Sequence, residues 1–114
     1  MMRDKVFLRH ILDAIKNIED DTGDITENEF DSDRKTKDSV VRNFEIIGEA
    51  IKNLEVDLKM KHPEIPWTKP IGLRNRAIHE YFGIDYTVIW QTIKDDLPEF
   101  KRQIEELLKK LEQN

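Results

Sequence analysis

The sequence contains no cysteine. That excludes disulfides and thiolate metal sites, and it fits a reducing compartment. Glycine and proline occur four times each and aromatic residues make up 8%. This scarcity argues against a many-turned β-sandwich or a disordered Pro/Gly-rich chain and for helices throughout. Long apolar runs are also missing. None approaches the roughly 20 residues that a membrane-crossing helix needs, and the stretch from Met1 to Leu12 lacks the hydrophobic block of a signal peptide. The expected location is therefore the cytoplasm, with no membrane partner. Finally, positive charge is in deficit: 19 Lys and Arg stand against 24 Asp and Glu, a net charge of −5. Such a balance excludes a protein that coats nucleic acid by wholesale neutralisation of phosphates.

What is present is a chain of 114 residues, 38% hydrophobic and 38% charged, the size of a single domain, 1–114, with one helical core. From Asp4 to about Asp20, Leu8, Leu12 and Ile15 with Phe7, Ile11 and Ile18 recur at three- and four-residue steps, the pattern of an amphipathic helix. Gly23 is placed to take a positive φ at its end. Thr26 and Glu29 have the spacing of a capping box, and Ser32 or Asp33 can cap the next helix. A second long element is expected from Asp33 to Met60, where Val40, Phe44, Ile47, Ile51, Leu54 and Leu58 form a heptad seam for a bundle core. Gly48, in mid-helix, suggests close approach of another backbone. Pro63, Pro66 and Pro70 make His62 to Lys69 a rigid loop, with Trp67 packing it down rather than offering a nucleobase platform. A motif helix is expected from Pro70 to Gly83. Asp85 caps the next element, whose seam of Tyr86, Trp90, Ile93, Leu97, Phe100, Ile104, Leu107 and Leu111 survives Pro98. Either the helix kinks there, or Asp95 or Asp96 caps a new one.

Charge is unevenly placed. From Glu19 to Asp33 there are eight acidic residues and no basic one, which reads as a solvated surface run rather than a docking site for a basic partner. Between Lys59 and His79, Lys59, Lys61, Lys69, Arg74 and Arg76 face Glu64 alone. The basic side coincides with the most polar chemistry of the chain, Gly72-Leu73-Arg74-Asn75-Arg76-Ala77-Ile78-His79-Glu80-Tyr81-Phe82-Gly83.

Arg74 supplies a permanent fork-shaped cation suited to phosphate, and His79 an imidazole that titrates near neutrality. On a helix turning about 100° per residue, Asn75 shares the face of His79, whereas Arg74 lies about 140° away. A two-fold pairing of chains could bring Arg74 of one copy towards His79 of the other, which is a reason to expect a composite site. The three histidines, His10, His62 and His79, are scattered, and no histidine follows His79-Glu80 at zincin spacing. The expected chemistry is metal-free and needs no cofactor. For RNA, the substrate that the family resemblance given below implies, the nucleophile is its own 2′-hydroxyl, so cleavage requires a base, a cation for the phosphorane and an acid for the leaving 5′-oxygen. His79 suits the base or the acid, Arg74 the phosphate clamp, and Asn75 the orientation of the imidazole or a phosphate oxygen. Tyr81 reads as a half-buried aromatic with its hydroxyl at the surface, and Arg76 and Glu80 as an exposed ion pair.

Arg74, four residues, His79, one residue, Tyr81 resembles the signature of the HEPN superfamily, specifically its HepT-like branch of small helical ribonuclease toxins. Phe44-Glu45-Ile46-Ile47-Gly48-Glu49-Ala50 also resembles the second-helix pattern of that branch. The resemblance implies an all-α, four- to five-helix HEPN-like bundle that forms a homodimer, with Arg74 and His79 catalytic. It implies an MNT-type nucleotidyltransferase antitoxin as partner, with Tyr81 as the acceptor of AMP. The reading is a metal-independent endoribonuclease toxin leaving a 2′,3′-cyclic phosphate. Its rival is a noncatalytic helical subunit that docks a nucleotidyltransferase or binds a nucleotide without cutting anything.

Overall fold

Isoleucine and leucine at three- and four-residue steps draw the first helix, α1 (Met2–Thr22), onto the rest of the chain by burying Leu8, Ile11, Ala14, Ile15 and Ile18. The computed structural model describes residues 2–69 and 85–113. Among the described residues there is helix and no strand. Gly23 ends α1 for a different reason from the one expected. No described glycine has positive φ. Instead, a Cβ at Gly23 would lie 2.9 Å from the carbonyl oxygen of Glu19, which its own amide contacts at 2.8 Å. Only glycine permits that approach.

The capping box forms as expected. The Glu29 amide donates to Thr26 Oγ1 at 3.1 Å and the Thr26 amide to Glu29 Oε1 at 3.0 Å, starting α2 (Glu27–Ser32), whose buried residue is Phe30. Thr26→Ala is expected to cost about 1 kcal/mol of stability, read as a lower urea midpoint. Asp33 then caps α3 (Arg34–Asn53), accepting from the amide and the hydroxyl of Thr36 at 3.2 and 2.8 Å. Those bonds, the hydroxyl's first, hold the Asp33 carboxyl below its usual range. A depressed pKa stabilises above the unfolded-state value and is lost as pH falls through the folded one. The stability gap between wild type and Asp33→Ala should therefore be full at neutral pH and narrow below about pH 4.

Polar contacts fix α3 antiparallel to α1. Ser39 Oγ donates to Asp21 at 2.7 Å, Asn17 to Asn43 at 3.2 Å, and Arg3 to Asn53 at 3.2 Å. The expected single element from Asp33 to Met60 is instead two helices, α3 and α4 (Val56–Lys61), parted by extended residues Leu54 (ψ 147°) and Glu55 (ψ 142°). The cause is Asp4, fully buried in α1, whose Oδ1 accepts from the Glu55 amide at 3.0 Å. Lys59 Nζ reaches back to the Ile51 carbonyl at 3.1 Å, so Lys59 caps α3. Leu54 and Leu58 stay buried on either side of the break. Asp4→Ala would strand the Glu55 donor at a cost of about 1–3 kcal/mol. An unchanged melting temperature in that variant would contradict this role.

The remainder comprises α5 (Tyr86–Gln91), a π turn (Thr92–Asp96) and α6 (Leu97–Glu112). Asp85 caps α5 as expected, accepting from Thr87 and Val88. Asp96 stands at the N-cap of α6 with Pro98 in the first turn, as one of the two expectations had it, but its side chain makes no capping hydrogen bond. Pro98 has no N–H, and its ring would clash with the carbonyl four residues back, so the helix widens and the Leu97 amide bonds to Thr92. Ile93, Leu97, Phe100, Ile104, Leu107 and Leu111 are buried as the seam requires. Tyr86 and Trp90, expected in the core, are half-buried, and Ile89 takes the buried place. Lys101 to Glu19 at 2.9 Å and Arg9 to Glu112 at 3.6 Å set α6 antiparallel to α1.

Candidate functional site

Arg74, Asn75, His79 and Tyr81, with Arg76 and Glu80, lie in residues 70–84, outside the described residues. The expected motif helix from Pro70 to Gly83 does too. The described residues hold the two ends of that segment. On its upstream side, prolines deny the chain regular helix, and the loop is fastened by its own indole: Trp67 is 8% exposed and donates from Nε1 to the His62 carbonyl at 3.0 Å. Trp67 is thus the packing anchor expected of it. Ile65 is buried beside it, and Gln103 of α6 donates to the Glu64 carbonyl at 3.2 Å. Lys69, the last described residue before the segment, pairs with Asp96 of the π turn at 3.0 Å. On the downstream side, Asp85 fixes the start of α5. Through Lys69 and Asp96, the loop before the motif is tied to the helix after it.

A cavity of about 380 Å³ lies beside this tie, with Phe44, Pro66, Leu97 and Phe100 among its lining. Four carboxylates, Glu64, Asp95, Asp96 and Glu99, stand around it with Lys69. Among the described residues that line it the charge is net negative, which disfavours a phosphate.

The basic stretch reads differently once its partners are known. Of its described cations, Lys59 is spent on the Ile51 carbonyl and Lys69 on Asp96, while Lys61 is exposed. Of these three charges, only that of Lys69 is offset by a carboxylate among the described residues. Burial, followed by the charge of Asp38 and opposed by Arg34, raises the Tyr86 hydroxyl above the usual phenol range, so it stays neutral at physiological pH. Sequence reasoning missed Asp4 and the Lys69–Asp96 tie, because each joins residues far apart in the chain without a local pattern. Among the described residues, no helix is long and apolar enough to cross a membrane.

The model of a family described as "Ribonuclease HepT-like" matches residues 11–107. A protein of Thermococcus cleftensis named "Probable ribonuclease HepT" is 46% identical over 105 residues, covering 92% of this chain and 96% of that one. "Putative RNase MJ0127" of Methanocaldococcus jannaschii is 44% identical over 108 residues, covering 95% and 89%. "Putative RNase TTE0752" of Caldanaerobacter subterraneus is 38% identical over 110 residues, covering 96% and 98%. No solved structure matches the chain. A family match over nearly its whole length, joined to relatives that align end to end and to an all-α bundle, places the chain in the HepT-like ribonuclease family of the HEPN superfamily.

Proposed function

We propose that the protein is a metal-independent endoribonuclease toxin whose site is built from Arg74 and His79, with Asn75 in support. The observation that carries the reading is the family match, which spans the segment holding Arg74 to Tyr81, together with relatives that bear ribonuclease names. In the reaction, an imidazole of His79 takes the 2′-hydroxyl proton, and the 2′-oxygen attacks the adjacent phosphorus. The Arg74 guanidinium carries the charge that gathers on the non-bridging oxygens of the phosphorane. The bond to the 5′-oxygen breaks, that oxygen receives a proton from an imidazolium, and a 2′,3′-cyclic phosphate remains. In a two-fold pair, each site takes its guanidinium from one copy and its imidazole from the other, and that imidazole, charged by the first transfer, is the acid of the last step.

Control is proposed to come from an MNT-type nucleotidyltransferase that adds AMP to Tyr81. The added phosphate would place negative charge and bulk two residues from His79, where they compete with RNA for Arg74.

The reading is tested by incubating the purified protein with labelled RNA in the presence of a chelator. Cleavage is expected at the same rate with and without chelator. RNA left intact under both conditions would overturn the enzyme and favour a noncatalytic docking subunit.

A further inference from the structure

An acidic chain that acts on RNA needs somewhere to dock it, and the described lining of the cavity beside Lys69 is rich in carboxylates. A second surface has the required chemistry. Helix α5 sets Tyr86 and Trp90 one turn apart, so they share a face, and both rings are half-buried. Phe30 supports them from α2, with ring centroids 6.2 Å from Tyr86 and 5.2 Å from Trp90. Two ammonium groups lie over the same rings: Lys37 Nζ is 4.4 Å from the Tyr86 centroid and Lys94 Nζ is 4.5 Å from that of Trp90.

Among the described residues, neither lysine is in an ion pair, whereas Lys16, Lys69 and Lys101 each have a carboxylate partner. Arg3 also stands over an aromatic ring, 5.7 Å from the Phe7 centroid, but Asn53 holds its guanidinium. Contacts of this kind at exposed sites are weaker than a base stacked on a ring. Asp38 is the acidic group facing Tyr86, and Arg34 stands 3.9 Å from it.

Two aromatic rings and, among the described residues, two cations without a carboxylate partner repeat the two parts of a nucleotide, a flat base and an anionic linkage. An acidic peptide would use the cations and leave the rings idle. We propose that Tyr86, Trp90, Lys37 and Lys94 form a docking surface for single-stranded RNA, with bases stacking on the rings and the ammonium groups taking the flanking phosphates. The inference rests on the ribonuclease reading and extends it. In the chain, Asp85, the cap of α5, stands two residues after Gly83, the end of the motif.

The test uses the full chain and the double variant Lys37→Gln/Lys94→Gln. Binding is followed by anisotropy of a 2′-O-methyl oligonucleotide, which lacks the nucleophile, and cleavage is followed with the matching RNA. The double variant is expected to bind roughly tenfold more weakly, with a salt dependence flatter by about 1.4 in log–log slope, as the loss of two phosphate contacts requires. KM should rise while kcat holds. Trp90→Leu should weaken binding and Trp90→Phe restore most of it. If wild type cleaves RNA but the lysine variant keeps the same KM and salt slope, the docking surface is wrong and the ribonuclease reading survives. If wild type neither binds nor cleaves, the ribonuclease reading fails and takes this inference with it. Competition by an oligoglutamate peptide as effective as that of the oligonucleotide would overturn the assignment to RNA.

Discussion

His79→Ala is expected to slow RNA cleavage by about 10²–10⁴-fold, the usual value of a positioned general acid or base. Arg74→Ala should cost about 10²–10³-fold, because the phosphorane loses its charge-matched donor. Melting temperatures of both variants, measured alongside, separate a loss of chemistry from a loss of fold. The composite site makes a sharper forecast. If one copy lends the guanidinium and the other the imidazole, mixing the two inactive variants creates heterodimers in which one of two sites is intact. Random exchange then restores roughly a quarter of wild-type activity. Activity that stays at background after subunit exchange, verified by native mass measurement, would show that each site is built within a single chain.

The second large effect is on stability, at Phe30. This ring is 1% exposed, is the buried residue of α2, and touches both Tyr86 and Trp90 of α5. Phe30→Ala should cost about 3–5 kcal/mol, a large share of the roughly 5–15 kcal/mol typical of a domain. The melting temperature is expected to drop by about 15 °C or more. Because Phe30 also backs the proposed docking surface, the half-buried Trp90 should become more accessible to quenchers below the transition. A drop of only a degree or two would mean that α2 is not held to α5 as described.

The sequence announced best what depends on near neighbours. The Thr26–Glu29 box, the Asp33 cap and the Asp85 cap each act within three residues, and all three form. The seam from Ile93 to Leu111 and the Trp67 anchor were equally legible, since periodicity and flanking prolines specify them. What escaped were contacts that span the chain. Leu54 and Leu58 keep a spacing of four whether or not the helix breaks between them, so periodicity is blind to the break that Asp4 imposes from 51 residues away. The π turn escaped too, because Pro98 admits several accommodations; the one adopted keeps Ile93, within the turn, and Leu97, just after it, buried. Tyr86 and Trp90 matched the seam by number, yet Ile89 fills the core and leaves the rings at its edge. The candidate site is the opposite case. Arg74, Asn75, His79 and Tyr81 were legible as one short motif whose types and spacing suit phosphodiester chemistry. They lie outside the described residues.

The most direct test is the chemistry of the cut ends. RNA labelled at its 5′-end, digested with excess chelator present, should yield fragments ending in 2′,3′-cyclic phosphate paired with 5′-hydroxyl fragments, because the neighbouring 2′-oxygen is the attacking group. Fragments ending in 3′-hydroxyl and 5′-phosphate, or cleavage abolished by the chelator, would place the nucleophile on a water and contradict the account.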